Sequence, residues 1–347
     1  MFKEILLDEN IELYTAYYKK ATFKTIYHHP QYLLAEEKAE VYYTHLYIYE
    51  ENEQFVILPS IKRRVNDIDV FSDESKEYFD LITPHEYSGV LASKYEIELF
   101  QKFYDELENY CVHNNIIFQF IRFNPYSEEY RAASKFCVNF SDAQNWIDCT
   151  VDVLLHFQKR KAEYVKSAIK KGMYCENAEK NEDNIKIFLV YYTKAMERLR
   201  ARKLLYFNYR YFEELCKSEF TKLFFVKSSD ASDIYSGAIV LCDRATGIIY
   251  YHLAFRNHKN GNVHSMEYMM YALSEWAKEN GYVSMHLGGG SASLHQFKDG
   301  CTNKRVDYYT GHIVYQPQIY QALSDKYCEK YPEERNSAFL PKYRSRE

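Results

Sequence analysis

The chain has 347 residues, more than one ordinary hydrophobic core accounts for, and this excludes a single small module. Hydrophobic residues make up 47% and charged residues 27%, while 11 glycines and 7 prolines are too few for a disordered or fibrous protein. The net charge of -5 excludes the global positive field that nucleic-acid-binding proteins commonly carry, so DNA is not an expected partner.

Tyrosine and cysteine are the informative residue types. The 36 tyrosines, against 2 tryptophans, indicate either a ligand-lined surface or strands that use tyrosine where other proteins use valine or phenylalanine. The eight cysteines lie far apart without a Cys-x-x-Cys pair, so we expect reduced thiols and no metal site. Since no signal peptide or apolar run of about 20 residues is present, we expect a cytoplasmic protein without an integral membrane segment.

The first half of the chain alternates strand and helix signals. Two runs rich in β-branched and aromatic residues, Val41 to Tyr49 and Gln54 to Ile61, flank a polar turn and predict a hairpin. Apolar residues at helical spacing predict a helix over Tyr95 to Val112, and Ile116 to Phe123 is typical of a buried strand.

The second half repeats this theme. Helical spacing predicts three helices, Leu154 to Lys171, Asn184 to Arg200 and Met266 to Lys278. Strand signals occupy Lys222 to Lys227, Ile234 to Cys242, Gly247 to Phe255 and Tyr282 to Leu287. This order indicates an antiparallel meander that continues into a β-α-β unit. Because both halves contain a hairpin or meander, a long helix and a buried strand, we expect two similar domains, 1–150 and 151–312.

A glycine-rich stretch follows the last of these strands. Gly288, Gly289 and Gly290 form either a tight turn or a cradle whose backbone N–H groups hold an anion at the start of a helix. Phe297 and Lys298 follow closely, and such a lysine either neutralises a phosphate or a developing oxyanion or is an exposed charge at a helix end.

Positive charge is concentrated in two segments of the second half. The first holds Lys159, Arg160, Lys161, Lys166, Lys170 and Lys171. On a helix, Lys159, Lys166 and Lys170 fall close to one face, which is either solvated or suited to RNA or a pyrophosphate. Further on, the chain combines arginine with tyrosine, which suits a phosphorylated sugar or a nucleotide as well as aromatic packing; the residues concerned are Arg198, Arg202, Tyr206 and Tyr209.

Several of these segments, taken in order, resemble the FemABX family and its neighbours among tandem GNAT-fold acyltransferases. The main match is the strand Gly247 to Phe255, the helix Met266 to Lys278, the glycine stretch and the Ser293 to Gly300 segment with its Phe-Lys pair. The stretches Lys170-Lys171-Gly172, Met196-Glu197-Arg198, Tyr206-Phe207, Tyr211-Phe212 and Phe79 to Gly89 add to it.

The resemblance implies an α+β protein of two tandem GNAT-like domains with mixed, largely antiparallel central sheets, the first completed by residues 313–347. It implies transfer of an acyl or aminoacyl group to an amine of a small-molecule or lipid-linked cell-envelope precursor, as in peptidoglycan synthesis, or of a sugar nucleotide. No cofactor is bound permanently; acyl-CoA or aminoacyl-tRNA is the co-substrate, and tRNA is then a partner. The segment Phe255 to His264 has one glycine, whereas CoA-using GNAT enzymes usually carry Arg/Gln-x-x-Gly-x-Gly/Ala there.

The resemblance also suggests roles for individual residues. Lys298, with Phe297, is expected near the reacting carbonyl or the donor phosphate, and Arg198 or Arg202 on a phosphate. From their position near a strand end and a helix start, Tyr251, His252 and Glu267 are candidates for proton handling.

Two functions of different classes fit this sequence. The first is the N-acyltransferase just described, in which an amine attacks an ester or thioester directly. The second is a non-catalytic GNAT-fold module that binds a nucleotide-sugar or RNA.

Overall fold

The computed structural model describes residues 1–39, 42–259 and 263–346. Val41, where the first expected strand begins, lies outside the described residues. The helices are α1 (Ile11–Lys20), α2 (Pro30–Ala39), α3 (Ile97–His113), α4 (Lys159–Lys170), α5 (Glu182–Leu199), α6 (Tyr209–Cys216), α7 (Ser265–Glu279), α8 (Ala292–Asp299) and α9 (Pro317–Lys330).

The strands, numbered in chain order, are β1 (Phe2–Leu6), β2 (Thr44–Glu51), β3 (Gln54–Arg64), β4 (Phe79–Ile82), β5 (Leu91–Ala92), β6 (Ile116–Arg122), β7 (Cys137–Asp148), β8 (Tyr174–Ala178), β9 (Thr221–Lys227), β10 (Ile234–Asp243), β11 (Ile248–Arg256), β12 (Ser284–Gly288) and β13 (Lys304–Val314). Across the described residues, every helix is too short or too polar to cross a bilayer.

The chain divides into two compact units. Unit 1 consists of Met1–Ser141 and Tyr308–Glu347, and unit 2 of Asp142–Asp307. The boundaries expected from the sequence were residues 150 and 312. Unit 1 is therefore built from two separate stretches of chain, whereas unit 2 is continuous.

The sheet of unit 1 has the strand order β1-β2-β3-β4-β6-β13, with β5 on β3. Its pairs are antiparallel except for β4 and β6. Helix α3 covers one face because Leu99, Phe103 and Leu107 recur at helical spacing and pack into the core of this unit. Helix α9 brings Leu323 and Tyr327 to a second apolar cluster.

A buried ion cluster attaches the C-terminal segment of unit 1. The Asp80 carboxylate accepts hydrogen bonds from Arg63 Nε at 2.6 Å and Arg344 Nε at 2.7 Å. Asp80 is fully buried and Arg344 is 1% exposed. Two guanidinium groups in such surroundings need the carboxylate, because an uncompensated buried charge is strongly unfavourable.

The sheet of unit 2 has the order β7-β12-β11-β10-β9-β8. Its pairs are antiparallel except for β11 and β12, which are parallel. Helices α4 and α7 contribute Val165, Met269 and Leu273 to the core on one face of the sheet. Helices α5 and α6 also pack on the sheet of this unit. Phe188 of α5 contacts both Phe212 of α6 and Phe255 of β11, and the three rings form an aromatic cluster.

Most of the predicted elements are present, and one helix start was wrong. The helix expected from Leu154 begins at Lys159. The preceding residues form a separate 3-10 turn, Val153–Leu155, because the Asp152 side chain accepts a hydrogen bond from the Leu154 N–H. The mixed, largely antiparallel α+β class expected from the sequence is confirmed.

Candidate active site

The parallel strands β11 and β12 separate towards their carboxyl ends. They pair only from Ile248 with Ser284 to Tyr250 with His286, and β11 then continues to Arg256 beside β10 alone. In open α/β sheets, ligands bind at carboxyl ends of strands where neighbouring strands diverge. The divergence of β11 from β12 is therefore the candidate site of unit 2.

A β-bulge lies where the two strands separate. The register of β11 on β10 passes from Leu253 opposite Ile239 to Tyr251 opposite Val240, so His252 is the extra residue. Bulges bend a strand and redirect side chains, and they are frequent beside active sites. Two of the predicted proton-handling residues, Tyr251 and His252, thus lie on the bulge itself.

The Tyr251 hydroxyl is the most unusual polar group of this site. Its oxygen is buried and has no hydrogen-bond partner among the described residues. Burial, and to a smaller extent the neighbouring Cys301 and Cys175, raises the pKa of Tyr251 well above its ordinary value. The hydroxyl therefore keeps its proton and is suited to donating a hydrogen bond rather than accepting a proton.

His252 points to the helical layer on which α6 lies. Its Nε2 atom is 2.7 Å from the Tyr211 hydroxyl of α6. This contact fixes the orientation of the imidazole ring.

Glu267 and Phe297 share a lysine neighbour. Glu267, in the first turn of α7, is 8% exposed, and its Oε1 accepts a hydrogen bond from Lys161 Nζ at 2.9 Å. The same ammonium group lies 4.0 Å from the centroid of the Phe297 ring. Lys161 therefore links α4 to α7 and α8, and Glu267 is ion-paired.

Lys298 is buried beneath the glycine stretch. It is 7% exposed, and its Nζ donates hydrogen bonds to the carbonyl oxygens of Gly288, at 2.8 Å, and Gly289. Gly288 is the last residue of β12 and Gly289 follows it, whereas Lys298 belongs to α8. The lysine thus fixes the turn between these two elements and keeps a positive charge at the carboxyl end of β12.

The turn itself requires glycine. Gly290 has a φ of +143°, and a Cβ there would lie 2.8 Å from Leu294 Cδ1. A Cβ on Gly289 would lie 2.5 Å from Asp142 Oδ2. A side chain at Gly290 would be strained by this backbone conformation, and one at Gly289 would displace the Asp142 carboxylate, so the turn favours glycine at both positions.

The four remaining predicted residues do not come together. Arg198, at the end of α5, contacts His258, whose Nδ1 is 3.0 Å from Arg256 Nη2. Arg198 therefore lies beside the segment after β11, of which residues 260–262 are outside the described part of the chain. Burial, followed by the charge of Arg256, lowers the pKa of Arg198 from its ordinary value.

Tyr209 begins α6 and lies near Lys186 in the early turns of α5. At 1.5 Å of rise per residue, Lys186 is roughly 20 Å along α5 from Arg198. Arg202 and Tyr206 lie between α5 and α6 and are exposed. Arg198 and Tyr209, which the sequence analysis placed in one group, therefore lie near opposite ends of α5.

Sequence reasoning missed one polar network beside the glycine turn. His295 Nε2 is 2.9 Å from Asp142 Oδ2, and His295 Nδ1 is 3.3 Å from Asn145 Oδ1. Asn145 also donates a hydrogen bond to Asp299 at 2.8 Å. This network holds α8 to β7. His295 lies in the segment that carries the family resemblance, but no local signal connects it to residues 150 positions earlier.

Comparison with known proteins identifies this arrangement of elements. No protein-family model and no curated protein sequence matches the chain. Among solved structures, FemX aligns with a TM-score of 0.64 at 12% identity, covering 93% of this chain and 99% of FemX. The chain has the FemX fold.

Two further structures agree with this fold. The C-terminal domain of a putative lysylphosphatidylglycerol synthetase from Agrobacterium fabrum aligns with a TM-score of 0.59 at 11% identity, covering 89% of this chain and 96% of that domain. L-PGS from Bacillus licheniformis aligns with a TM-score of 0.57 at 10% identity, covering 87% and 91%. The expected FemABX-like fold is confirmed.

Proposed function

We propose that this protein is an N-acyltransferase. It moves an acyl or aminoacyl group from acyl-CoA or aminoacyl-tRNA to an amine of a cell-envelope precursor or a sugar nucleotide, on the cytoplasmic side. The observation that supports this most is the separation of β11 from β12 at a bulge, beside the glycine turn, in a chain with the FemX fold. Such a gap between parallel strands accepts an extended acyl chain whose carbonyl reaches the bulge.

The reaction needs a site that holds the two substrates together, a donor for the developing oxyanion and an acceptor for the amine proton. The neutral amine attacks the carbonyl carbon, the oxygen becomes negative, and the thiolate or ribose oxygen then leaves while the amine loses a proton. A preorganised donor beside the developing oxyanion lowers the barrier most. We assign this donor role to the Tyr251 hydroxyl.

The other predicted residues act around this centre. Lys298 places positive charge at the carboxyl end of β12 and holds the turn of Gly288 and Gly289. His252 is the candidate acceptor of the amine proton. Glu267, through Lys161, positions α4 and the Phe297 ring, and we assign it a positioning role. Arg198, with Arg256 and His258, is the candidate contact for donor phosphate.

The experiment measures binding and transfer separately. The thermal midpoint of the full chain is followed with acetyl-CoA, charged tRNA or UDP-N-acetylhexosamine, since a ligand that binds the folded state raises apparent stability by mass action. The donor that stabilises the protein is then incubated with amine acceptors, and acylated products are identified by mass spectrometry. We expect one donor class to stabilise the chain and to yield an acylated amine.

The non-catalytic alternative gives a different result. A module that only binds nucleotide-sugar or RNA is stabilised by that ligand but yields no acylated product with any donor. Absence of both stabilisation and transfer with every donor contradicts the acyltransferase proposal.

A further inference from the structure

Unit 1 contains an open groove that the proposed acyl transfer does not use. The groove has a volume of about 570 Å³ and is lined by Phe23, Tyr95, Pro125, Tyr126, Ser127 and Glu128. These residues come from three separate places in the chain: after α1, before α3 and after β6. The groove therefore exists only in the folded unit.

The aromatic rings of the groove are exposed and held in place from behind. Tyr95 is 46% and Tyr126 40% exposed. Phe23 and Tyr95 meet at 5.1 Å between centroids with 56° between their planes, and Phe100 packs behind both at 5.4 and 5.6 Å. Because Phe100 packs against both rings, the side chains of Phe23 and Tyr95 are held in place. They therefore lose little conformational entropy when a ligand binds.

Glu128 is the charged residue among those that line this groove, all of which the structure describes. Its side chain is 57% exposed and pairs with Arg131, itself 60% exposed, at 2.7 Å. An ion pair this exposed contributes little stability, so a ligand cation can compete with Arg131 for the carboxylate. Lys94 is engaged by Glu96 at 2.5 Å rather than by Glu128.

We propose that this groove binds an alkylammonium group, with the cation against the faces of Phe23, Tyr95 and Tyr126 and close to the Glu128 carboxylate. Aromatic faces attract cations through the ring quadrupole, and a nearby carboxylate adds charge complementarity. Pro125 and the rings supply apolar surface for the alkyl groups. The site has no role in the proposed transfer, so either proposal can fail alone.

The test compares choline with 3,3-dimethylbutan-1-ol, which has the same shape without the charge. Amide and aromatic NMR shifts of the full chain are followed during titration with each compound. We expect choline to shift signals of groove residues with millimolar affinity, and the neutral alcohol to bind at least about fivefold more weakly. Equal binding of the two compounds, or absence of shifts with choline, overturns the proposal.

Three variants locate the bound cation. Tyr95→Leu removes the aromatic ring but keeps an apolar side chain. Glu128→Gln removes the negative charge but keeps the shape of the side chain. Each is expected to weaken choline binding about three- to fivefold. Tyr43→Leu, at a tyrosine that is 59% exposed elsewhere in unit 1, is the matched control and should leave the affinity unchanged. If neither groove variant weakens binding, choline binds elsewhere and the proposal is wrong.

Discussion

Removal of the Tyr251 hydroxyl distinguishes a catalytic role of this residue from a packing role. We expect Tyr251→Phe to lower the transfer rate by about 10²-fold, the usual loss when one oxyanion donor is removed, with the donor-induced thermal shift preserved. The measurements are the single-turnover rate of transfer and the change in thermal midpoint that the donor produces. Tyr271→Phe, on α7, is the matched control; similar loss in both variants, or none in Tyr251→Phe, removes Tyr251 from the mechanism.

Glu129 is a second residue whose environment determines its chemistry. It is fully buried in unit 1, and its Oε1 accepts hydrogen bonds from the Val90 N–H at 2.9 Å and the Tyr104 hydroxyl at 3.1 Å. Its Oε2 has no hydrogen-bond partner among the described residues. Burial raises the pKa of Glu129 to about 8, so the folded protein holds this carboxyl protonated at neutral pH.

This predicts a pH-dependent free energy of unfolding. Below the ordinary glutamate pKa, both states are protonated. Between that value and about 8, only the unfolded state ionises, so the contribution of Glu129 to stability declines as pH rises. Glu129→Gln should remove this part of the decline, measured by urea unfolding at pH 5, 7 and 9. The exposed neighbour variant Glu128→Gln should retain the wild-type slope; equal slopes in all three proteins would contradict the prediction.

At the scale of elements, Lys298 connects β12 to α8. We expect Lys298→Met to lower stability by about 2 kcal/mol, since two charge-assisted hydrogen bonds to the carbonyls of Gly288 and Gly289 are lost, and to lower the transfer rate as well. Hydrogen exchange should increase at Gly288 to Ser291. The exposed Lys194→Met is the control. Unchanged exchange in the turn with a lower transfer rate would assign Lys298 to chemistry alone.

The sequence predicted elements better than it predicted contacts. The apolar spacing of α3 and α7 and the β-branched runs of β2 and β10 are local signals, and each gave the correct type of element. The Lys161–Glu267 ion pair joins residues 106 positions apart, and no local pattern reports it. The sequence places Lys298 near the glycine turn, but its inward orientation depends on tertiary packing.

The same limit applied to β13. Its antiparallel pairing with β6, from Thr310 opposite Arg122 onward, depends on a strand that is remote in sequence. The family resemblance suggested that the last part of the chain returns to the first domain, whereas hydrophobic periodicity alone gave no such information.

At the scale of the whole molecule, the C-terminal segment is held to unit 1 through Asp80. We expect Asp80→Asn to lower the free energy of unfolding by about 3–5 kcal/mol, because Arg63 and Arg344 would remain buried without a counter-charge. The measurement is urea unfolding followed by far-UV circular dichroism. Glu77→Gln, which removes one of the two exposed carboxylate partners of Arg64, should cost at most about 1 kcal/mol; comparable losses would contradict the prediction.

The discontinuity of unit 1 has a consequence for synthesis on the ribosome. The residues of β13 that complete its sheet, and Arg344, the second of the two arginines that pair with Asp80, are translated only after all of unit 2. At about 5–20 residues per second, the N-terminal stretch waits many seconds for them, with β6 paired to β4 but lacking its second neighbour β13. Unit 2, being continuous, can fold during that interval. The nascent chain therefore acquires its candidate active site before its first strands are secured.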